Sequence, residues 1–226
     1  MTEEARYVGT GPGAAGELLR QVGALLDGHF QLNSGRHSPV FVEKFRLLQY
    51  PEATERLCRL IADRFRGEGP QVVAGPTTGG IILSYEVARL LGLRGIFAEK
   101  TDGQRRFQRG FSIGRGERVL VVDDVLTTGG SVREVLAAVR EAGGEAIGLG
   151  VLVDRSGGGA DPSTGLPPGS PGGLRRRLAK ARAGLGGSGD RTGFGVPLYA
   201  CLTLELPTYE AGECPLCAQG MALTVT

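Results

Sequence analysis

The sequence VLVVDDVLTTGGSV, residues 119–132, joins an apolar run, two carboxylates and a small-residue loop. The four β-favouring residues Val119–Val122 predict a buried strand. After the loop, valine and leucine recur at helical spacing from Val132 onward and predict a helix. A strand that leads through a short loop into a helix is typical of a βαβ unit, whose strands are parallel.

The segments around this stretch repeat the alternation of strand and helix. Further strands are predicted over Gln71–Ala74, Gly95–Ala98 and Ala146–Val153, with helical spacing after the first of them. We therefore predict an α/β fold with a mostly parallel central sheet flanked by helices. In such sheets ligands bind at the carboxyl ends of the strands, so the turns after these strands form the candidate site.

The N-terminal part predicts a helix and a small flap. Apolar residues recur at helical spacing up to Leu26 and predict a helix that ends near Gly28. The short apolar stretches Phe30–Leu32 and Val40–Phe41 predict a hairpin-like flap. We assign residues 14–50 to the helix and flap, within a single domain that spans the whole chain, residues 1–226.

The composition changes between Ser156 and Gly195, where Gly, Pro and Ser surround the basic stretch Leu174–Arg182. Such a segment buries too little apolar area to offset the entropy of ordering, which predicts a flexible surface insertion over residues 157–193. After it, apolar and polar residues alternate over Tyr199–Leu206 and predict an edge strand with one face in solvent.

The overall composition excludes several classes of protein. Apolar residues make up 41% of the chain, enough for a buried core. The 26 Lys and Arg nearly balance the 24 Asp and Glu, so no global field favours nucleic acid. No apolar run approaches the roughly 20 residues that span a bilayer, and the N-terminus lacks the blocks of a secretory signal. We expect a cytoplasmic protein with neither a membrane nor a nucleic acid as partner.

The four cysteines are too few and too unevenly placed for the disulfide framework of a secreted domain. Only Cys214 and Cys217, in CPLC, have the spacing of metal ligands. A structural zinc site usually needs four ligands. No second CxxC or nearby histidine completes the pair, since the only histidines are His29 and His37. A redox pair or a tight terminal turn is therefore expected at least as readily as a metal site.

The loop Thr127–Ser131 has the groups that a phosphate monoester needs. It offers hydroxyls and backbone N–H groups where a helix begins, and its two glycines allow close approach. Asp123 and Asp124 cannot bind the phosphate, because like charges repel. They would accept hydrogen bonds from hydroxyl groups or help to hold a metal ion. Together these residues predict a ribose 5-phosphate site.

Each piece of this pattern also has an ordinary structural interpretation. Ser131 and Glu134 have the spacing of a capping box, and two glycines alone mark a turn. Two other phosphate-binding motifs are excluded, because neither Gly-Lys-Ser/Thr nor GxGxxG follows a predicted strand. The combination of strand, carboxylates and loop therefore favours the sugar phosphate.

The stretch Val119–Ser131 resembles the signature with which phosphoribosyltransferases bind phosphoribosyl pyrophosphate (PRPP). The segment Gly28–Lys44, GHFQLNSGRHSPVFVEK, resembles the N-terminal flap of the orotate phosphoribosyltransferase family. Gly75–Glu86, GPTTGGIILSYE, is similar to the pyrophosphate-binding turn of that family, and the likeness continues through Val153–Ser156. The chain thus resembles orotate phosphoribosyltransferases over most of residues 16–156.

The resemblance implies the type I phosphoribosyltransferase fold with a small hood, and a homodimer. It implies transfer of the phosphoribosyl group from PRPP to orotate, which gives orotidine 5'-monophosphate and pyrophosphate in de novo pyrimidine (UMP) biosynthesis. Mg²⁺ is the implied cofactor, held mainly through PRPP, with no protein ligands indicated. A member of this family is an enzyme in which positioning and charge stabilisation supply most of the catalysis.

The resemblance also implies roles for individual residues. The expected catalytic residues are Lys100, Asp123 and Asp124. The expected contacts to PRPP are Thr77, Thr78, Gly79, Lys100, Arg105, Asp123, Asp124, Val125, Leu126, Thr127, Thr128, Gly129, Gly130 and Ser131. The expected contacts to orotate are Thr127, Arg155, Phe41 and Lys44. For Arg155 the chemistry agrees, since a planar guanidinium can engage a carboxylate through paired hydrogen bonds.

The chain departs from the family pattern in the loop Glu99–Phe111 and at Asn33, which replaces a lysine found before SGR in some members. Two other functions also stay open. Many family members carry a histidine in a mobile basic loop, whereas Glu99–Phe111, EKTDGQRRFQRGF, has none and leaves its lysine and arginines to neutralise pyrophosphate. A transferase of the same fold for a purine or for uracil would use the same PRPP loop. A PRPP-sensing regulator that binds RNA through Leu174–Arg182 is the alternative from another class.

Overall fold

The computed structural model describes residues 7–8, 14–32, 34–156, 193–204 and 206–226. Its helices are α1 (Ala14–Gln21), α2 (Lys44–Leu48), α3 (Pro51–Phe65), α4 (Gly79–Leu91), α5 (Gly130–Glu141) and α6 (Pro215–Ala218). Its strands are β1 (Tyr7–Val8), β2 (Leu25–Gln31), β3 (His37–Val42), β4 (Val72–Pro76), β5 (Arg94–Thr101), β6 (Gln104–Phe107), β7 (Arg118–Leu126), β8 (Glu145–Asp154), β9 (Leu198–Leu204) and β10 (Thr224–Val225).

Within the described ranges, seven strands form the main sheet in the order β1-β9-β8-β7-β4-β5-β6. The five central strands are parallel, and β1 and β6 are antiparallel to their neighbours at the two edges. The predicted α/β architecture with a mostly parallel sheet is confirmed. A second, three-stranded sheet has the order β10-β2-β3 and forms the hood.

The sequence of β7 explains why helices cover both faces of the main sheet. Successive side chains of a strand point to opposite faces, so an apolar run with no polar alternation must be buried on both. Val119 and Val121 lie in the core cluster that contains the apolar face of α5. Leu120 and Val122 lie in the cluster that contains the apolar faces of α1, α3 and α4.

The predicted extent of the N-terminal helix is wrong. Helix α1 ends at Gln21, and Gly23 follows in the left-handed region with a φ of 66°. The N–H of Ala24 donates to the carbonyl of Leu19 at 2.7 Å, which closes the helix. Leu25 and the residue after it therefore belong to β2, where Leu25 pairs with Val42 of β3. The hairpin of the predicted flap is confirmed.

Two further predictions need correction. The segment Tyr199–Leu206 is not an edge strand, because Tyr7 of β1 pairs with Leu204 on its outer side and β8 lies on the other. Its Cys201 is buried because it faces α3, where its Sγ donates to the carbonyl of Leu57 at 3.4 Å. The polar stretch after Ala98 also contains a strand, β6, which forms an antiparallel hairpin with β5.

The predicted insertion over residues 157–193 lies outside the described residues, apart from its last residue.

The C-terminal segment, residues 206–226, lies against the hood. The N–H of His37 donates to the carbonyl of Tyr209 at 2.8 Å, and the N–H of Tyr209 donates back at 2.9 Å. Farther along, β10 pairs in parallel with β2 through Thr224 and Phe30. In the part of the chain that the structure describes, no helix has the length and apolar character needed to cross a membrane.

The same segment corrects the prediction about the cysteines. His29 and His37 lie on the paired strands β2 and β3, and the C-terminal segment brings Cys214 and Cys217 to them. The inference that no histidine completes the CPLC pair is therefore wrong. The pairing of two strands and the return of the chain end close a sequence separation of more than 170 residues.

Candidate active site

The candidate site lies where the parallel strands β4 and β7 end. Strand β5 lies on one side of β4 and β7 on the other, so the order of the strands changes direction between β4 and β7. Ligands of open α/β sheets bind at such a switch point, outside the carboxyl ends of the strands. The turn at Thr77–Thr78, which contains a cis peptide bond, and the loop at Thr127–Gly129 therefore face one crevice.

Asp123 and Asp124 are buried at the end of β7. The N–H of Asp124 donates to Oδ1 of Asp123 at 2.8 Å, and the N–H of Val125 donates to Oδ1 of Asp124 at 2.7 Å. Burial raises the pKa of Asp123 to about 7, and the neighbouring charge of Asp124 adds to this rise. The charges of Lys44 and Arg105 act in the opposite direction. Asp123 is thus a carboxyl group that can change its protonation state near neutral pH.

Lys44 is the partner of the second carboxylate. It is the first residue of α2, directly after the hood, and its Nζ lies 2.9 Å from Oδ2 and 3.1 Å from Oδ1 of Asp124. Gly79 leaves room for this pair, because a Cβ at that position would lie 1.8 Å from Oδ2 of Asp124. The structure therefore brings the hood, the turn after β4 and the end of β7 together at Asp124.

Arg105 connects the β5–β6 hairpin to the turn after β4. Its Nη1 donates to Oγ1 of Thr77 at 3.1 Å, and its Nη2 lies 3.5 Å from Oγ of Ser131. Its Nε lies 3.2 Å from a carboxylate oxygen of Glu134, although the angle is too poor for a hydrogen bond. The exposed Lys100, opposite Arg105 on the hairpin, also lies near Glu134, at 3.7 Å.

The loop after β7 leaves its polar groups accessible. Thr127, Thr128 and Ser131 are exposed, and α5 begins at Gly130. Such a helix start offers unpaired N–H groups to an anion. Gly129 is the residue before the helix, with a φ of 76°. No capping box forms: the N-cap is Gly129, without a side-chain cap.

The loop is held in place from its outer side by Arg133. The Nη1 of this arginine donates to the carbonyl of Thr128 at 2.6 Å, and its guanidinium lies 4.8 Å from the ring centre of Phe194. A Cβ on Gly129 would lie 2.6 Å from the same ring. Phe194 thus comes from beyond residues 157–192 to support the loop, a contact that sequence spacing does not indicate.

The residues expected to contact orotate are less closely grouped. The N–H of Arg155 donates to the carbonyl of Leu126 at 2.8 Å, which places this arginine beside the loop. Its side chain has no partner among the described residues, and burial lowers its pKa. Phe41 lies in the hood with its ring 5.6 Å from that of Phe30. Leu126 is buried in the core, so only its backbone reaches the crevice.

Comparison with known proteins identifies the family. The sequence model of the phosphoribosyl transferase domain matches residues 46–166, just over half of the chain. An orotate phosphoribosyltransferase from Pelotomaculum thermopropionicum is 47% identical over 204 residues, 90% of this chain and 90% of that protein. One from Desulforamulus reducens is 42% identical over 205 residues, 91% of each. The chain belongs to the orotate phosphoribosyltransferase family.

The structure of a solved orotate phosphoribosyltransferase is similar to this fold. The crystal structure of the enzyme from Aeropyrum pernix matches with a TM-score of 0.55 and 26% identity, over 84% of this chain and 93% of that one. In this member of the orotate phosphoribosyltransferase family, Glu134 is the site residue that sequence analysis missed. Its spacing from Ser131 suggested a helix cap, whereas its carboxylate lies beside Arg105 and Lys100.

Proposed function

We propose that the protein transfers the phosphoribosyl group of PRPP to orotate and releases pyrophosphate, a step of pyrimidine biosynthesis. The observation that carries this proposal is the buried pair Asp123 and Asp124 beside the exposed loop Thr127–Ser131 at the start of α5. Carboxylates suit sugar hydroxyls and a helix start suits a phosphate. The likeness to orotate phosphoribosyltransferases over about nine-tenths of the chain supports orotate as the acceptor.

The 5-phosphate of PRPP binds the loop Thr127–Ser131 in this proposal. Backbone N–H groups at the start of α5 and the exposed hydroxyls of Thr127, Thr128 and Ser131 donate to its oxygens. Arg133 fixes the loop from outside through its hydrogen bond to Thr128. The loop is therefore held in one shape before the substrate arrives, which lowers the entropic cost of binding.

Asp123 and Asp124 hold the ribose hydroxyls. Lys44 forms an ion pair with Asp124 at 2.9 Å and so holds the Asp124 carboxylate in place. Reaction at the anomeric carbon passes through a transition state with cationic ribosyl character, as in glycoside chemistry. Two nearby carboxylates favour that charge, and their hydrogen bonds fix the sugar for attack.

The departing pyrophosphate lies between the turn after β4 and the β5–β6 hairpin. Arg105 is already hydrogen bonded to Thr77 in that turn, and Lys100 stands opposite it on the hairpin. Glu134 neutralises both cations in the described structure, and the pyrophosphate would replace it as their partner. Oxygen donors such as the buried Asp123 suit Mg²⁺, which we expect to be held mainly by PRPP itself. When bound, Mg²⁺ supplies positive charge against the pyrophosphate.

Orotate lies near Arg155, between the loop after β7 and the hood. The half-buried guanidinium has no side-chain partner among the described residues, so a bound carboxylate would compensate its burial. Thr127 and Lys44 complete the polar contacts, with Phe41 as an apolar wall on the hood. No general base is required, because orotate attacks as an anion.

We expect the double variant Asp123→Asn, Asp124→Asn to lose at least about a hundredfold in kcat/KM for PRPP, because two charged contacts to the sugar are removed. The measurement is the loss of orotate absorbance after addition of PRPP and Mg²⁺. Asp63→Asn, at an exposed site on α3, is the matched control and should keep the wild-type rate. Near wild-type turnover by the double variant would contradict the proposed site. Turnover of a purine or uracil in place of orotate would contradict the proposed acceptor.

A homodimer is part of the same proposal. Large apolar side chains are exposed on and beside the adjacent helices α2 and α4, namely Phe45, Tyr50, Ile82 and Tyr85. Exposed apolar groups of this size are typical of protein interfaces. Sedimentation at working concentration, compared with the variant Tyr85→Glu, measures this association.

A further inference from the structure

Four possible metal ligands meet where the C-terminal segment crosses the hood. They are His29 of β2, His37 of β3, and Cys214 and Cys217 at the start and within α6. One ligand atom from each residue lies within 4.8 Å of all the others, and only Cys217 is exposed. The cluster lies in the hood sheet and its C-terminal cover, and it shares no residue with the candidate active site.

The distances between these atoms are close to those of a tetrahedral zinc centre. Zinc binds sulfur at about 2.3 Å and nitrogen at about 2.0–2.1 Å, so neighbouring ligand atoms lie roughly 3.3–3.8 Å apart. The Nε2 of His29 lies 3.5 Å from Sγ of Cys214 and 3.7 Å from Sγ of Cys217. The Nδ1 of His37 lies 3.3 Å from Sγ of Cys217 and 2.9 Å from Nε2 of His29.

The surroundings of His29 suit a metal ligand. Its Nδ1 lies 2.9 Å from the carbonyl oxygen of Met221, which can only accept, so Nδ1 carries a proton. In the neutral ring Nε2 then carries a free lone pair, and it lies close to the other three ligand atoms. Proteins commonly orient a histidine ligand of a metal through a hydrogen bond from its other ring nitrogen to a carbonyl.

The sequence spacing and the ligand chemistry select zinc. Cys214 and Cys217 have the C-x₂-C spacing of structural zinc sites, and both thiols are free. Two sulfurs with two imidazoles in a tetrahedral arrangement are typical of Zn²⁺. All four positions are filled by protein, which is the pattern of a structural site with no open position for catalysis.

We propose that His29, His37, Cys214 and Cys217 bind a structural Zn²⁺ ion that fastens the C-terminal segment to the hood. Two ligands come from the hairpin and two from the chain end, so the ion links parts of the chain that are far apart in sequence. The hairpin leads directly into Lys44, the partner of Asp124. The ion therefore stabilises the element that carries one side of the candidate active site.

The proposal is tested first by metal content. Full-length protein, purified without an added chelator or a metal-affinity tag, is expected to contain about one zinc per chain by mass spectrometry of the digested sample. The double variant Cys214→Ser, Cys217→Ser should retain less than about a tenth of that. Cys58→Ala, which removes a buried thiol of α3, is the matched control and should keep its zinc.

A second measurement uses wild-type protein, so that the proposal can still be tested if the cysteine variant fails to fold. Wild-type protein is stripped with a chelator, titrated with Co²⁺ and examined for the visible bands of tetrahedral cobalt bound to thiolates. We also expect the chelator to lower Tm by about 5 °C or more, reversed by added Zn²⁺. Absence of both zinc and the cobalt bands would overturn the proposal, as would a Cys214–Cys217 disulfide in protein purified under reducing conditions. Neither test uses PRPP or orotate, so its outcome is independent of the proposed reaction.

Discussion

At the scale of single residues, Asp123 links the chemistry of the site to the stability of the fold. Its pKa rises from 3.8 to about 7 when the chain folds, because the carboxyl is buried beside Asp124. A carboxyl with a raised pKa binds its proton more tightly in the folded state. Its ionisation therefore costs stability as the pH rises from about 4 to 7, and the full cost is present above pH 7.

We expect Asp123→Asn to raise Tm at pH 8 by roughly 5 °C, because the amide removes a buried charge and keeps an oxygen that can accept the hydrogen bond from Asp124. The gain should shrink below pH 7 and vanish toward pH 4, where the wild-type carboxyl is protonated as well. Thermal unfolding of both proteins across this range measures the difference. Equal Tm values at every pH would show that burial does not disfavour the Asp123 carboxylate.

Sequence alone predicts part of the candidate site at this scale. Asp123, Asp124 and the loop after them are contiguous, so one local pattern contains the whole phosphate and ribose half of the predicted site. The contact of Asp124 with Lys44 and the close approach of Gly79 join three separate segments. No local pattern contains them. The predicted roles in binding PRPP and orotate stay predictions.

At the scale of helices and strands, apolar periodicity predicted the parallel core because its strands are buried on both faces. Apolar periodicity gave wrong predictions where the same local pattern is compatible with more than one structure. Leu25 continues the helical spacing of α1, yet Gly23 ends that helix and Leu25 pairs in β2. The polar strand β6 has no apolar pattern, since it lies at the sheet edge. Strand β9 looked like an edge strand because nothing nearby in sequence indicated that β1 covers it.

The contact between α3 and β8 depends on small residues in the strand. A Cβ on Gly150 would lie 2.4 Å from Cγ2 of Ile61. We expect Gly150→Ala to lower the free energy of unfolding by about 1–3 kcal/mol, because the helix must move away from the sheet. Gly67→Ala, whose Cβ would meet no atom within 4 Å, should change it by less than about 0.5 kcal/mol.

The origin of this cost is separated by a double-mutant cycle. Ile61→Ala removes the clashing methyl group, so Gly150→Ala should cost less than about 1 kcal/mol in that background. Urea unfolding of the four proteins provides the cycle. The same cost in both backgrounds would show that it does not arise from the contact between Gly150 and Ile61.

At the scale of the whole molecule, the hood depends on a chain end that local sequence patterns did not connect to it. The sequence predicted the hairpin, but it gave no sign that residues 206–226 return to cover it. That return is fixed by long-range pairs such as Tyr209 with His37, and by contacts of Arg36. Their partners lie more than 170 residues apart, where spacing and periodicity carry no signal.

Arg36 provides the test of this connection. Its Nε donates to Oγ1 of Thr208 at 2.9 Å, its Nη2 donates to the Thr208 carbonyl at 2.7 Å, and it pairs with Glu210. We expect Arg36→Ala to speed hydrogen exchange of the paired amides of His37 and Tyr209 by up to about tenfold, since about 1.4 kcal/mol of local stability corresponds to that factor.

Arg94→Ala is the matched control, because Arg94 also makes a two-contact pair with a glutamate, Glu117, away from the hood. It should leave exchange at His37 and Tyr209 unchanged, and neither variant should alter exchange in the central strands β4 and β7. If Arg36→Ala and Arg94→Ala change the hood amides equally, the arginine is not what holds the C-terminal segment. If the central strands also lose protection in Arg36→Ala, the hood and the main sheet unfold as one unit, and local opening of the hood is excluded.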